Sequence, residues 1–242
     1  MTPIAPPEHK QKIRIIPLLT KNQCSKSVLE SEAPTTSESD TLKLRNIQVI
    51  ADLISKRIGN DKCLVFAHDW AKLNDADNLI MCRLDSRGLN GYTQHSNVLC
   101  LFHGNPLPTA TKAFEALAKK HSGCYKSLIH AWKCTHLYER VLQNVYRCSL
   151  RIKESLVDVT LYVQDELVAE YLVKTYLPTA IIDRSLAKEY KTPKKRGPSG
   201  EPQEAEAIAL LEAGMKPAKV AKATRIEVGK IYEYQRKLKA AA

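Results

Sequence analysis

Gln143, Arg147 and Arg151 follow one another at intervals of four residues in the stretch QNVYRCSLR. On a helix, side chains four apart share a face, so the spacing predicts an amide and two guanidinium groups in one row. A guanidinium is planar, permanently charged and forked. It is suited to grip phosphoryl oxygens and to offset the charge that develops on a transferred phosphoryl group. A solvated basic stripe on an amphipathic helix has the same spacing. A second stretch, DSRGLNGY from Asp85 to Tyr92, sets Ser86, Arg87, Gly88 and Asn90 just after an apolar run. Glycine lets a backbone approach a phosphate closely, and a short polar side chain two positions later can hydrogen-bond that phosphate or a sugar. An ordinary strand-to-helix turn can be written with the same residues.

A third set lies near the C-terminus, where Lys216, Lys219 and Lys222 precede Val228, Gly229, Lys230, Glu233 and Arg236. Lysines bunched on one short helix suit phosphate contacts, and the mixed residues on the helix that follows suit inspection of base edges. A small helical hairpin for protein contacts has the same composition. The nearest approach to a metal set is Cys124, His130, Cys134 and His136, whose spacings match no zinc pattern, so no metal site is expected. Seven cysteines without a C-x-x-C pair, several inside apolar runs, suit reduced thiols in the cytoplasm.

A formal charge of +11 and a pI near 9.3 favour a polyanionic partner, because a field of that sign attracts phosphates. With 242 residues, 44% of them apolar, there is room for one sizeable core and a small accessory unit. No run approaches the ~20 apolar residues of a membrane span, and no apolar signal core stands behind the first charges. The expectation is a cytoplasmic protein with no membrane partner.

Elements must position these groups. Short apolar strands are expected at Ile13 to Leu19, Cys63 to Ala67, Leu79 to Leu84, Val98 to Phe102 and Val157 to Val163. Helices are expected where Leu44, Ile47, Ile50, Ile54 and Ile58 recur three or four residues apart, and over roughly 111–120 and 136–150. Strands alternating with helices imply an α/β fold with a parallel sheet covered on both faces. A Ser/Thr/Glu-rich stretch ending near Asp40 lacks the apolar density to pack, and KTPKKRGPSG from Lys191 to Gly200 reads as a basic linker. Beyond it the spacing predicts helices over about 202–213, over 217–223 and from about Glu227, with a turn at Gly214.

Together, DSRGLNGY and QNVYRCSLR resemble the last two motifs of superfamily 2 (DEAD/DEAH-type) nucleic-acid helicases, and the likeness covers roughly residues 42–175. CLVFAH, from Cys63 to His68, resembles the strand that opens the second RecA-like lobe, and GNPLP, from Gly104 to Pro108, ends the strand after the RGLN loop. In this family ATP lies between two lobes, and the second lobe reaches the phosphates with arginines. The resemblance thus implies catalytic roles for Gln143, Arg147 and Arg151, and nucleotide or nucleic-acid contacts for Ser86, Arg87, Gly88 and Asn90. The sequence departs from the pattern in three places. Asn90 stands where many relatives have aspartate, and Arg151 is eight residues after the glutamine where seven is common. Only about ten residues, 68–78, separate two strands between which most relatives insert two helices and a further strand. The C-terminal helices resemble the helix-turn-helix of resolvases and invertases, with Arg225 where a turn glycine usually stands.

The resulting organisation is an N-terminal strand and flexible segment (1–41), a RecA-like lobe (42–185), a basic linker (186–203) and a helix-turn-helix (204–242). The 84 residues before Asp85 hold one glycine, Gly59, and no G-x-x-x-x-G-K-[ST] phosphate cradle occurs at any position. The leading expectation is a nucleic-acid-binding, helicase-related protein, half of a split or truncated translocase of a mobile element. It would take no cofactor alone, and ATP and Mg only with a separate ATP-binding lobe as partner. Its other partner is DNA or RNA. The rival expectation is a DNA-binding accessory or regulatory protein that acts through the helix-turn-helix, and a gene fragment without independent function is the third.

Overall fold

Strands buried on both faces tend to be apolar at nearly every position, and Cys63–Ala67 (CLVFA) and Asn97–Leu101 (NVLCL) are built this way. The computed structural model describes residues 8–20, 24–33, 44–85, 91–121, 124–190, 201–224 and 226–241. Ile13–Leu19 (β1), Cys63–Ala67 (β2), Leu79–Cys82 (β3), Asn97–Leu101 (β4), Val159–Asp165 (β5) and Ile181–Ile182 (β6) form one six-stranded sheet. All pairings are parallel, in the order β3-β2-β4-β5-β1-β6. Cys63 stands opposite both Leu79 and Asn97, Asn97 opposite Thr160, and Ile13 opposite Val159. The class expected from the sequence, α/β with a parallel sheet, is the class observed.

Side chains alternate between the two faces with the period of two that a strand imposes. Leu64, Phe66, Val98, Cys100, Leu161 and Val163 pack on one face against Val141, Val145, Val168 and Leu172. Cys63, Val65, Leu99, Leu101 and Tyr162 pack on the other, against Val28, Leu29, Ile47, Ile50 and Ile54. The second layer is built by Lys26–Glu30 (α1) and Asn46–Ile58 (α2). The Gln48 side chain accepts from the Arg45 backbone N–H at the start of α2, and Gly59, at φ 62°, ends it.

The N-terminal strand is where the sequence put it, but it is not a separate segment. β1 lies between β5 and β6, and α1 lies in the helical layer that covers its Ile16 and Leu18. The expected boundary at residue 41 falls inside one compact unit: β1 and α1 belong to the same sheet and helical layer as the elements after it. The Ser/Thr/Glu-rich stretch and the basic linker lie outside the described residues.

After β4 the chain makes a long helical excursion. Pro108–Lys120 (α3) opens with proline in its first turn, where a missing N–H costs nothing, and Tyr125–Lys133 (α4) follows. Neither helix contributes a fully buried side chain. A π-turn at Cys134–Tyr138 then leads into Glu139–Val145 (α5). The end of β4 approaches this turn so closely that a Cβ on Gly104 would overlap the Leu137 Cβ and lie 3.2 Å from its backbone nitrogen. Glu139 fixes the start of α5, because the hydroxyls of Tyr171 and Tyr176 both donate to its Oε1, each at 3.1 Å. Tyr171 belongs to Glu166–Thr175 (α6), whose first turn is capped by the Asp165 carboxylate accepting from Val168 N–H at 3.1 Å.

The chain divides into two compact units near residue 193. The second contains Glu201–Glu212 (α7), Pro217–Thr224 (α8) and Val228–Ala241 (α9), at the expected places. Ala207, Val220, Ala221 and Ile231 are its buried core. Gly214, at φ 80°, ends α7, and the Met215 N–H donates to the Leu210 carbonyl as in a glycine-terminated helix.

Candidate functional site

In a parallel sheet every strand ends at the same edge, and loops at that edge gather side chains from distant parts of the sequence. The chain leaves β2 for the outer strand β3, then returns past β2 to β4. Such reversals open a crevice at the carboxyl ends of the strands, the usual place for ligands in open α/β sheets. A cleft of 660 Å³ lies there, lined by His68, Asp69, Arg83, Leu84, Asp85 and Arg140. His68 and Asp69 follow β2, Arg83 to Asp85 follow β3, and Arg140 stands in the first turn of α5. Two guanidinium groups from separate elements can converge on one anion, while Asp69 and Asp85 leave the cleft mixed in charge.

An aromatic group borders this cleft. The His68 and Trp70 rings stack with centroids 5.5 Å apart and planes at 26°, and Trp70 and His103 share the same interplanar angle at 6.2 Å. The His68 Nε2 lies 3.2 Å from the His103 carbonyl oxygen, which ties the end of β2 to the end of β4. His103 in turn accepts from the Asn105 N–H through Nδ1 at 3.4 Å. Lys26 holds its ammonium 5.3 Å from the Trp70 ring centroid. Burial above all, with His68 and Lys26 beside it, pulls the His103 pKa down to about 4. Burial also lowers that of His68, with Arg140 and Lys26 adding to the effect and the His103 carbonyl opposing it. Both imidazoles are neutral at pH 7.

The residues singled out in the sequence distribute differently. Ser86, Arg87, Gly88 and Asn90 lie outside the described residues. The expected row of Gln143, Arg147 and Arg151 on one helix does not form. α5 ends at Val145, Arg147 lies in a turn, and Arg151 closes a short 3-10 turn at Ser149–Arg151. The cause is packing: Cys148 and Leu150 are fully buried and Ser149 nearly so, which draws the chain into the core where a continued helix would have carried it past. Gln143 and Arg151 are exposed and Arg147 is half-buried.

This turn lies at the amino-terminal edge of the sheet. Ser149 N–H donates to the His95 carbonyl at 2.8 Å, just before β4, and the Gln11 amide donates to the Ser149 carbonyl at 2.8 Å, just before β1. Tyr146 and His9 add a contact of 3.0 Å between hydroxyl and Nε2. Asp85, the first residue of DSRGLNGY, thus lines the cleft, and the segment that follows the stretch meets the QNVYRCSLR turn at His95. α5 runs between the two edges, with Arg140 at one and Arg147 beyond the other.

Arg83, Arg140, His68 and Asp69 were missed by sequence reasoning. Their one local signal is position: three stand within two residues of the end of an apolar strand, and Arg140 precedes Gln143 by one helical turn. In the second unit Lys216, Lys219, Lys222, Val228, Gly229, Lys230, Glu233 and Arg236 are all exposed, whereas Val220, Ala221 and Ile231 face inward. Arg225 lies outside the described residues. Cys134 Sγ lies 3.6 Å from His130 Nε2, and among the described residues no group of three or more His, Cys, Asp or Glu is placed to hold a metal. No described helix is long and apolar enough to cross a membrane.

No protein-family model, curated protein or solved structure matches this chain.

Proposed function

We propose that the first unit is a RecA-like second lobe of the superfamily 2 helicase type, which binds a nucleic-acid strand and works with an ATP-binding lobe carried outside these 242 residues. The observation that carries this reading is the bond from Ser149 N–H to the His95 carbonyl, which joins the end of one motif to the segment that follows the other. β4 and the α3–α4 excursion separate the two motifs in sequence, and the bond supports the reading by setting His95, three residues past the first motif, beside the second in an all-parallel α/β sheet. Arg147 would then serve a phosphoryl group held by the partner lobe, while Arg83 and Arg140 face strand phosphates at the cleft. ATP and magnesium enter only with that partner lobe, because the sequence offers no phosphate cradle of its own.

The second unit supports a division of labour. Its exposed Lys216, Lys219 and Lys222 suit duplex phosphates, and Lys230 and Arg236 on α9 suit base edges, as in a helix-turn-helix. That arrangement also favours the rival reading, a DNA-binding accessory protein in which the first unit is a scaffold.

The catalytic part is tested by phosphate release. The purified chain with ATP, magnesium and saturating single strands is expected to release phosphate no faster than buffer. Robust turnover abolished by Arg147→Ala would overturn the half-motor reading.

A further inference from the structure

Trp70, His68 and His103 form an aromatic patch beside two arginines, and the strand-binding reading leaves that patch without a use. None of the three rings is fully buried, although each sits at the end of a strand whose own residues are sealed in the core. The patch is also held rigidly. His68 is tied to the His103 backbone, His103 is tied to Asn105, and Trp70 lies nearly parallel to both imidazoles. A rigid, uncharged ring surface loses little conformational freedom when a second flat ring is laid upon it. Lys26 above the Trp70 ring has a half-exposed side chain and a flexible stem, so it can yield to a base and move to a neighbouring phosphate. Arg83 and Arg140 line the adjoining cleft.

We propose that Trp70, backed by His68 and His103, is a stacking platform for a nucleobase of a single strand whose phosphates lie toward Arg83 and Arg140. The proposal rests on the strand-binding reading above and adds to it a contact with base faces. Stacking of this kind is indifferent to sequence, because every base has a π-face. The charged side chains fix where the backbone runs, and the platform makes binding depend on the bases being present.

The chain contains two tryptophans, Trp70 and Trp132, so intrinsic fluorescence can isolate the platform. Trp132 packs on Phe114 and His136, and its buried indole N–H has no hydrogen-bond partner among the described residues, so Trp132→Phe removes the second fluorophore without breaking a hydrogen bond to any of them. The full chain carrying Trp132→Phe is titrated with oligo(dT), with an abasic oligomer of the same length, and with thymidine monophosphate at the same nucleotide concentration. Binding of labelled oligomers is followed in parallel by anisotropy. The expected result is quenching of Trp70 by oligo(dT), little by the monophosphate, and weaker binding without quenching by the abasic strand. Trp70→Ala should lower oligo(dT) affinity by about fivefold to a hundredfold, the range expected when one base–aromatic stack is removed, and Trp70→Phe should recover most of it. Binding of oligo(dT) and the abasic strand with equal affinity and unchanged Trp70 emission would overturn the platform and leave strand binding standing. Equal quenching by the monophosphate would replace the strand seat with a mononucleotide site. Absence of any anisotropy change would remove the strand-binding reading, and the platform with it.

Discussion

The backbone N–H of Ser149 donates to the carbonyl oxygen of His95 at 2.8 Å, although 53 positions separate the two residues in sequence. That bond closes the amino-terminal edge of the sheet over β4 and holds the arginine-bearing turn in place. At the opposite edge, Arg83 and Arg140 reach one cleft from β3 and α5. On the proposed reading a nucleic-acid strand would engage the carboxyl edge and a phosphoryl group the amino edge, with α5 as the strut between them.

Gly104 is a tight point in that strut's support. Its missing Cβ makes room for Leu137 in the π-turn, and the close approach includes the Leu137 backbone, which cannot rotate away. Gly104→Ala is expected to destabilise the first unit by about 1–3 kcal/mol, the usual cost of overpacking. Urea denaturation followed by circular dichroism measures this. A midpoint equal to that of the unsubstituted chain would show that the turn gives way at no cost.

Acid should loosen the aromatic patch. The folded-state pKa of His103, about 4, lies below the 6.5 of a free imidazole. Between these values the unfolded chain binds the proton more readily, so His103 contributes stability that is present above about pH 6.5 and lost as the pH falls toward 4. The denaturation midpoint is expected to fall from pH 7 to pH 4.5, and to fall less in His103→Gln. An identical fall in both proteins would assign the acid sensitivity elsewhere.

The sheet was legible in the sequence because a strand buried on both faces leaves a run of apolar residues that needs no partner to be recognised. Cys63–Ala67 and Asn97–Leu101 are such runs, and the row from Ile47 to Ile54 marked α2 just as directly. Which strand lies beside which was not legible. β1 reads as an isolated run, yet it sits between β5 and β6, whose sequences begin 140 or more residues later. QNVYRCSLR misled for a related reason. Its glutamine and arginines keep helical spacing, but buried Cys148 and Leu150 answer to the core. The cleft was invisible, because Arg83 and Arg140 become neighbours only through the order of the strands.

In the second unit, charge and base reading should separate. Combined Lys216→Ala, Lys219→Ala and Lys222→Ala in the full chain is expected to weaken binding to all duplexes alike and to flatten the salt dependence by about 0.9 for each phosphate no longer neutralised. Lys230→Ala or Arg236→Ala should relax preference between duplex sites, at a cost of about 1–3 kcal/mol where the substitution removes a bidentate hydrogen bond to a base. Anisotropy on a panel of duplexes across a salt series measures both. Unchanged duplex binding in the triple variant would assign these helices to protein contacts.

The most direct test is the affinity of the full chain for a labelled single strand across a potassium chloride series, compared with that of Arg83→Ala combined with Arg140→Ala. The expected result is binding without sequence preference that weakens as salt rises. The double variant should bind more weakly, with a salt slope shallower by about 0.7 for each phosphate left without its arginine. Single-strand binding that is absent at low salt, or unchanged in affinity and slope by the two substitutions, would contradict a strand-binding lobe.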